Sequence, residues 1–330
     1  MKKLLIATTA LVGTASVAAA DITFSGYGRW GILYEEDRAD GALEDTRLES
    51  RYRLNIDGST ETDGGIRFAA RIRVQADDNS DGTVDAGSFG GARFQVGVGG
   101  FRVRVGNISG VFDAAEVIDY FGFEPGLIGQ TGQYATFGPG QLGLFDAFTS
   151  SSTGGAEGAG GANGVNVKYE AGDFAVMASY SEDLDEYDGN TNVGDTESFE
   201  IGASYTFSDW TIGAAYGTFD FGSANGDLDE DGEYYALTVS GSIGAGDISF
   251  FVGDSDIDED DTAYGISGSY PVGASTNIVA SYAGGGFDEL EDTYGIGFTH
   301  GLGGGVTLSG MVGQQVTDNV IADLGVRFNF

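Results

Sequence analysis

The C-terminal stretch ADLGVRFNF, residues 322–330, carries the pattern that decides the fold. Its apolar residues occupy every second position from Ala322 to Phe330, and small or polar residues lie between them. A period of two is typical of a β-strand with one apolar face. Segments of about ten residues with the same alternation recur through the chain, separated by turn-rich stretches. The pattern therefore predicts an all-β protein.

The recurrence predicts sixteen strands. Their approximate ranges are 22–34, 48–58, 65–77, 88–98, 101–107, 164–170, 174–181, 197–207, 210–219, 234–242, 248–253, 263–270, 276–282, 293–302, 306–313 and 321–330. Short connections such as Gly99-Gly100 and Ser208-Asp209 take turns with long ones. Short turns at one rim and long loops at the other are typical of a transmembrane antiparallel β-barrel.

The two faces of the predicted strands differ in polarity. In the third strand, Ile66, Phe68 and Ile72 share one face, whereas Arg71 and Arg73 lie on the other. A lipid-facing exterior and a wet interior produce this division. A soluble β-sandwich also has alternating strands and remains the rival interpretation. A barrel of sixteen strands is too wide for side chains to fill, so its interior would hold water.

Composition excludes several classes of function. The 330 residues include 51 Asp plus Glu, 15 Lys plus Arg, one His and no Cys, and the formal charge is −36. Such a charge argues against a nucleic-acid partner, and the lack of Cys excludes disulfides and thiolate metal sites. The single His300 falls on the lipid side of its strand and cannot activate a luminal Ser. We therefore expect no enzyme activity and no required cofactor.

Residues 1–20, MKKLLIATTALVGTASVAAA, have the layout of a cleaved signal peptide. Lys2 and Lys3 precede a short apolar centre, and three Ala residues end the segment. The apolar run is too short for a membrane-spanning helix. The sequence predicts export through this signal and a single barrel over residues 21–330.

Arginine is concentrated in the first third of the chain. Eleven of the twelve Arg residues lie between Arg29 and Arg104. Nine of them fall on the polar strand face, and we predict that they form one basic wall of the lumen: Arg29, Arg51, Arg53, Arg67, Arg71, Arg73, Arg93, Arg102 and Arg104. These cations would repel one another, so negative charge should face them.

The third long connection, about 108–163, is the candidate for that negative charge. A connection of this length is unusual unless it has a specific role. Asp113, Glu116 and Asp119 follow one another at spacings of three, which a short helix would place on one face, and Glu124 precedes the turn Pro125-Gly126. We predict that the segment folds into the lumen as a constriction loop and that these four carboxylates face the arginines.

The other long connections are acidic as well. The long loops together hold 38 of the 51 carboxylates. Two stretches alternate oxygen ligands before a Gly, a spacing that suits calcium. Their candidate ligands are Asp77, Asn79, Asp81 and Asp85 in one and Asp227, Asp229 and Asp231 in the other. Calcium is thus a possible ligand, and a solvated acidic rim is the alternative.

Taken together, the signal peptide, sixteen strands, basic early strands, acidic third loop and terminal ADLGVRFNF resemble the general diffusion porins of Gram-negative outer membranes, in particular the α-proteobacterial type. The resemblance implies a homotrimer in outer-membrane lipid that passes small hydrophilic solutes and ions by passive diffusion. Two alternatives remain open at this stage: a channel selective for an anionic substrate through its arginine wall, and a secreted acidic calcium-binding β-protein.

Overall fold

The computed structural model describes residues 21–38, 43–77, 87–137, 163–183, 196–221, 230–256, 260–287 and 290–330. The strands are β1 Asp21–Glu35, β2 Thr46–Glu61, β3 Arg67–Asp77, β4 Ser88–Phe89, β5 Arg93–Val98, β6 Phe101–Gly106, β7 Asn163–Ala171, β8 Phe174–Asp183, β9 Thr196–Phe207, β10 Trp210–Phe221, β11 Glu230–Ile243, β12 Gly246–Ser255, β13 Asp260–Pro271, β14 Thr276–Phe287, β15 Thr293–Gly303, β16 Val306–Gln314 and β17 Val320–Asn329. One short helix, α1, spans Val111–Ala114.

The strands form one closed antiparallel barrel. Each pairs with its neighbours in chain order, and β17 pairs with β1 from Tyr27 opposite Asn329 to Glu35 opposite Ile321. Both β4 and β5 pair with β3, so together they occupy one position in the sheet. The barrel therefore has sixteen strand positions, as the alternation predicted.

The exterior of the barrel is apolar. On β1, Trp30 and Ile32 are 60% and 54% exposed, whereas Leu33 on the opposite face is fully buried. Large apolar side chains are exposed in the same way on strands all around the barrel. No helix in the described ranges has the length and hydrophobicity needed to cross a membrane. The inner faces carry charged residues, Ser and Gly, together with apolar side chains that pack against the lumen loop, such as Tyr234 and Phe251.

Residues 107–137, named here the lumen loop, leave β6 and pack against inner-face side chains of the barrel. Helix α1 ends at Ala114, and Ala115 has a φ of 48°, in the left-handed region. The sequence-based prediction of one helical face carrying Asp113, Glu116 and Asp119 is therefore wrong, because the chain turns between the first two. The remainder of the predicted constriction loop, 138–162, lies outside the described residues.

Candidate functional site

The nine arginines predicted for the basic wall lie on the luminal face of β1, β2, β3, β5 and β6. Strand register brings several of them side by side. Arg29 lies opposite Arg51, and Arg71 lies opposite Arg93. Alternation along each strand selects the face, and the antiparallel pairing then gathers the side chains into one surface.

Carboxylates on the strands themselves neutralise part of this wall. Glu49 accepts hydrogen bonds from Arg29, with 2.6 Å from Nη2 to Oε1. Asp77 lies 2.9 Å from the Nε of Arg51. These pairs form between neighbouring strands and do not involve the lumen loop. Negative charge does face the arginines, as expected, but much of it comes from the strands.

Asp57 binds Arg71 through two hydrogen bonds, 2.7 Å from Nε to Oδ1 and 3.1 Å from Nη2 to Oδ2. Arg53 and Arg73 have amide partners instead. Arg53 donates to Gln75, and Arg73 donates to Asn55 over 3.0 Å. The basic wall is thus a network of ion pairs and guanidinium–amide hydrogen bonds. It is more positive where amides replace carboxylates.

Glu116 is the lumen-loop carboxylate that joins the loop to this wall. Its Oε1 lies 2.6 Å from Nη1 of Arg104, and its Oε2 accepts from Arg102 and lies 3.0 Å from Nζ of Lys168. Burial raises the pKa of Glu116. The charges and hydrogen bonds of Arg104, Lys168 and Arg102 outweigh that effect and hold the pKa at about 2. Glu116 therefore stays ionised at neutral pH.

The other three predicted loop acids have different surroundings. Asp113 lies in electrostatic range of Arg73. Asp119 accepts a hydrogen bond from the backbone N–H of Gly122 over 3.2 Å. The side chain of Glu124 has an exposed surface, but neighbouring protein atoms displace much of the water around its carboxylate. That desolvation and the nearby Asp119 raise the pKa of Glu124 to about 7, against the opposing effects of Tyr134 and Arg29.

Buried polar groups of the barrel wall hold the lumen loop from the other side. Glu200 on β9 accepts from the backbone N–H groups of Val111 and Phe112, and from the hydroxyl of Tyr234 over 2.7 Å. Asp323 on β17 accepts from the N–H of Leu127 over 2.8 Å. These bonds span 89 and 196 residues of sequence. They satisfy loop N–H groups that would otherwise be buried without partners.

The middle of the lumen loop is held by neutral groups. Ser267 accepts from the N–H of Phe123 over 2.8 Å and donates to Gln133 over 3.1 Å. Gln133 in turn donates to Ser249 over 3.1 Å. All three side chains in this chain of bonds, Ser267, Gln133 and Ser249, are buried. The loop is therefore hydrogen-bonded to the wall along its whole described length.

Apolar side chains and glycines also contribute to the packing of the lumen loop against the barrel wall. Phe112, Tyr120 and Phe137 of the loop pack with Tyr234 and Phe251 of the barrel. Several wall glycines leave room for the loop backbone. A Cβ at Gly265 would lie 2.5 Å from the Cβ of Gln133, and one at Gly286 would overlap the carbonyl oxygen of Thr136. Part of the glycine excess in the sequence is thus explained by the space that the lumen loop occupies.

The strand carboxylates Glu49, Asp57 and Asp77 and the loop anchors Glu200 and Asp323 were not predicted as partners from the sequence. Asp57 lies on the same face as Arg51 and Arg53 by simple alternation, so this partner could have been found in the sequence. Glu200 and Asp323 are single acids on strands far from the loop in sequence. Nothing local distinguishes them from solvated residues.

The predicted calcium ligands are mostly outside the described residues. Asp77 and Asp231 are described, and Asp77 is engaged by Arg51 and Gln75. Asn79, Asp81, Asp85, Asp227 and Asp229 fall in the gaps. Within the described ranges, no three acidic or imidazole side chains converge as a metal site would require. The calcium prediction therefore stays a prediction.

A closed barrel with an apolar exterior, a charged interior and a loop packed inside defines the class of outer-membrane channel proteins. A family model described as Gram-negative porin matches residues 7–320. The chain therefore belongs to the Gram-negative porin family.

Individual relatives agree with this family assignment. A porin of Fuscovulum blasticum is 33% identical over 322 residues, covering 94% of this chain and all of the relative. A porin of Rhodobacter capsulatus is 27% identical with the same coverage. Solved structures of Rh. blastica porin mutants superpose with a TM-score of 0.75 at 30% identity over 94% of this chain. The protein is an outer-membrane diffusion channel, and the alternatives left open by the sequence are not favoured.

Proposed function

We propose that the lumen loop and the basic wall together form the constriction that limits passive diffusion of small hydrophilic solutes and ions. The observation that carries this proposal is the contact of Glu116 with Arg102, Arg104 and Lys168. It joins the loop to β6 and β7, while Glu200 and Asp323 hold the loop to other parts of the barrel. A loop held at several points narrows the lumen without closing it.

The charges on the two sides of the constriction set its solute preference. Arg53, Arg73 and Arg93 lie on the wall, and Asp119 and Glu124 lie on the loop. Opposed charges create a transverse field that orders water and disfavours apolar solutes. The acidic long loops concentrate cations at the mouth in dilute salt, and this effect fades as salt screens it.

We further propose that residues 1–20 direct export and are removed, and that the mature chain of residues 21–330 is a homotrimer in outer-membrane lipid. The apolar exterior suits lipid contact. N-terminal sequencing of the protein from outer membranes, and the mass of the native protein in detergent, test these two points separately. Calcium binding by the acidic long loops is a separate proposal, which equilibrium dialysis of the detergent-solubilised protein with calcium tests.

Planar-bilayer recording tests the central proposal. Purified protein should produce stepwise ion-conducting events, and the reversal potential in a salt gradient gives the sign of selectivity. Neutralising a constriction charge should shift the reversal potential, whereas Glu61→Gln at the exposed end of β2 serves as the control. Absence of conducting steps would reject the channel, and an unchanged reversal potential in constriction variants would reject this location of the selectivity.

A further inference from the structure

A groove, named here the outer groove, crosses β11 to β14 on the exterior of the barrel. It has a volume of about 560 Å³ and is lined mainly by apolar side chains and strand backbone. Its floor is formed by Gly268 on β13 and Ala280 on β14, which lie directly opposite each other in the sheet. Among the described residues, the nearest atom to a Cβ at Gly268 would be the backbone oxygen of Asp247 at 3.0 Å, and no side chain comes within 4 Å. The outer groove is thus a gap that two small residues leave in a bulky surface.

Larger apolar side chains form the walls of the outer groove. Ile248 lies opposite Gly268 on β12, and Ile266 and Ile278 lie two positions along β13 and β14 from the floor. Ile266 and Ile278 are 40% and 37% exposed, so they project beside the floor. A water molecule between such walls lacks the polar partners that it needs. An empty groove, in turn, would lose the dispersion contacts that a filled one gains.

Polar side chains lie at the end of the outer groove that is near the short turns. Tyr270 is next to the end of β13 and is 57% exposed. Thr276 lies opposite His300, with 2.7 Å between its Oγ1 and the Nδ1 of His300. Nε2 of His300 has no hydrogen-bond partner in the part of the chain that the structure describes. Short turns mark the periplasmic side of such barrels, and amphipathic rings lie at the headgroup level of a membrane.

The size and surroundings of the outer groove favour a lipid chain over a second copy of the protein. Its floor is two strands wide, about 10 Å. A stable interface between protein copies needs roughly 800 Å² on each partner. The surface around the groove is apolar and exposed, so the groove is continuous with the exterior that contacts lipid. A flexible hydrocarbon chain can follow so narrow a gap.

We propose that the outer groove binds one acyl chain of a phospholipid in the periplasmic leaflet, with the lipid phosphate at Tyr270 and His300. The inference rests on the proposed placement of the chain in outer-membrane lipid. When Thr276 donates to Nδ1, the proton of the neutral imidazole lies on Nε2 and can be donated to a phosphate oxygen. The acyl chain packs over Gly268 and Ala280 and buries methylene groups that would otherwise contact only other lipids.

Native mass spectrometry of the detergent-solubilised protein tests the site, with added palmitoyl-oleoyl phosphatidylethanolamine as the probe. The wild type should retain one such lipid per chain. Gly268→Leu fills the floor and should lower this occupancy about tenfold, the effect expected when a few methylene groups lose their burial. Ala214→Leu is the matched control, because Ala214 is exposed on the outer face of β10 and lies outside the groove. Its occupancy should equal that of the wild type, and electrophoresis of unheated samples shows that both variants fold.

Palmitate as a second probe separates the acyl chain from the phosphate. The wild type should bind the phospholipid more tightly than palmitate, because palmitate has the chain without the phosphate. His300→Ala should reduce this preference by removing a donor to the phosphate. An unchanged preference in His300→Ala would overturn the proposed position of the headgroup.

Three results would overturn lipid binding in the outer groove. The first is a wild type that retains no phospholipid, and the second is equal occupancy in Gly268→Leu and Ala214→Leu. The third is a Gly268→Leu complex with fewer chains and unchanged lipid per chain, which would identify the groove as an interface between copies. The proposed constriction is judged by conductance and this site by the lipid count, so the two proposals can fail separately.

Discussion

Substitution of Glu116 by Gln removes the charge through which the lumen loop contacts the basic wall, at nearly constant side-chain volume. In the wild type this carboxylate has three cationic partners and is 21% exposed. The substitution leaves Arg102, Arg104 and Lys168 facing one another around a neutral amide. We expect the loop to be released from this wall while its anchors at Glu200 and Asp323 remain.

The pKa of Glu116 gives the free energy by which the Glu116→Gln substitution should weaken docking of the lumen loop. A pKa of about 2, against the ordinary value of 4.5 for a Glu side chain, means that the docked loop favours the ionised carboxylate. At 1.36 kcal/mol for each pKa unit, the ionised carboxylate stabilises the docked loop by roughly 3 kcal/mol, which changes the equilibrium between docked and released loop about a hundredfold. Because the folded pKa is lowered, this contribution is present above about pH 4.5 and is lost as the pH falls toward about 2.

Hydrogen–deuterium exchange on the detergent-solubilised channel measures this local equilibrium. Backbone amides near residues 113–120 should exchange faster in Glu116→Gln at neutral pH, by up to about a hundredfold if local opening governs their exchange. The wild type should approach the same behaviour in strong acid, whereas the variant should lack that acid-dependent step.

Glu170→Gln provides the control in the same charge cluster. Glu170 lies 2.6 Å from Nζ of Lys168 but is 55% exposed, and an exposed pair contributes little. It should leave loop exchange close to that of the wild type. The reasoning is refuted if the two variants behave alike, or if Glu116→Gln exchanges as slowly as the wild type with an unchanged acid dependence.

Three other predictions follow from the same contacts. The pKa of Glu124 is raised to about 7, so the lumen should lose a negative charge as the pH falls through neutrality. The cation preference of the wild type, measured as the reversal potential in a salt gradient, should therefore decrease between about pH 8 and pH 6. Glu124→Gln should abolish this pH dependence of the reversal potential. Gly265→Ala places a methyl group against Gln133 and should displace the lumen loop at a cost of about 1–3 kcal/mol. Single-channel conductance should change as a result. Gly58→Ala is the control and should conduct normally, because a Cβ at Gly58 meets nothing within 4 Å. Glu200→Ala removes the acceptor for two loop N–H groups and for the hydroxyls of Ser179 and Tyr234, so it should lower the barrel's melting temperature. Exposed Glu197→Ala on the same strand should not lower it, and equal melting temperatures of the two variants would contradict the anchoring role.

The sequence by itself determined the strand number, the closed-barrel class and the face on which each wall arginine lies. These properties are local, because alternation with a period of two places every second residue on one face of a strand whatever its neighbours are. Arg71 and Arg73 could therefore be assigned to the lumen from β3 alone. The prediction that a short helix places Asp113, Glu116 and Asp119 on one face was wrong, because the left-handed turn at Ala115 has no signal in the spacing of carboxylates.

Only the tertiary structure decided which charges meet. The pairing of Arg71 with Asp57 depends on the register between β2 and β3, and the docking of the lumen loop depends on Glu200 and Asp323, which are far away in sequence. Such outcomes depend on distances across the closed barrel, and a linear pattern of residue types contains no information on those distances.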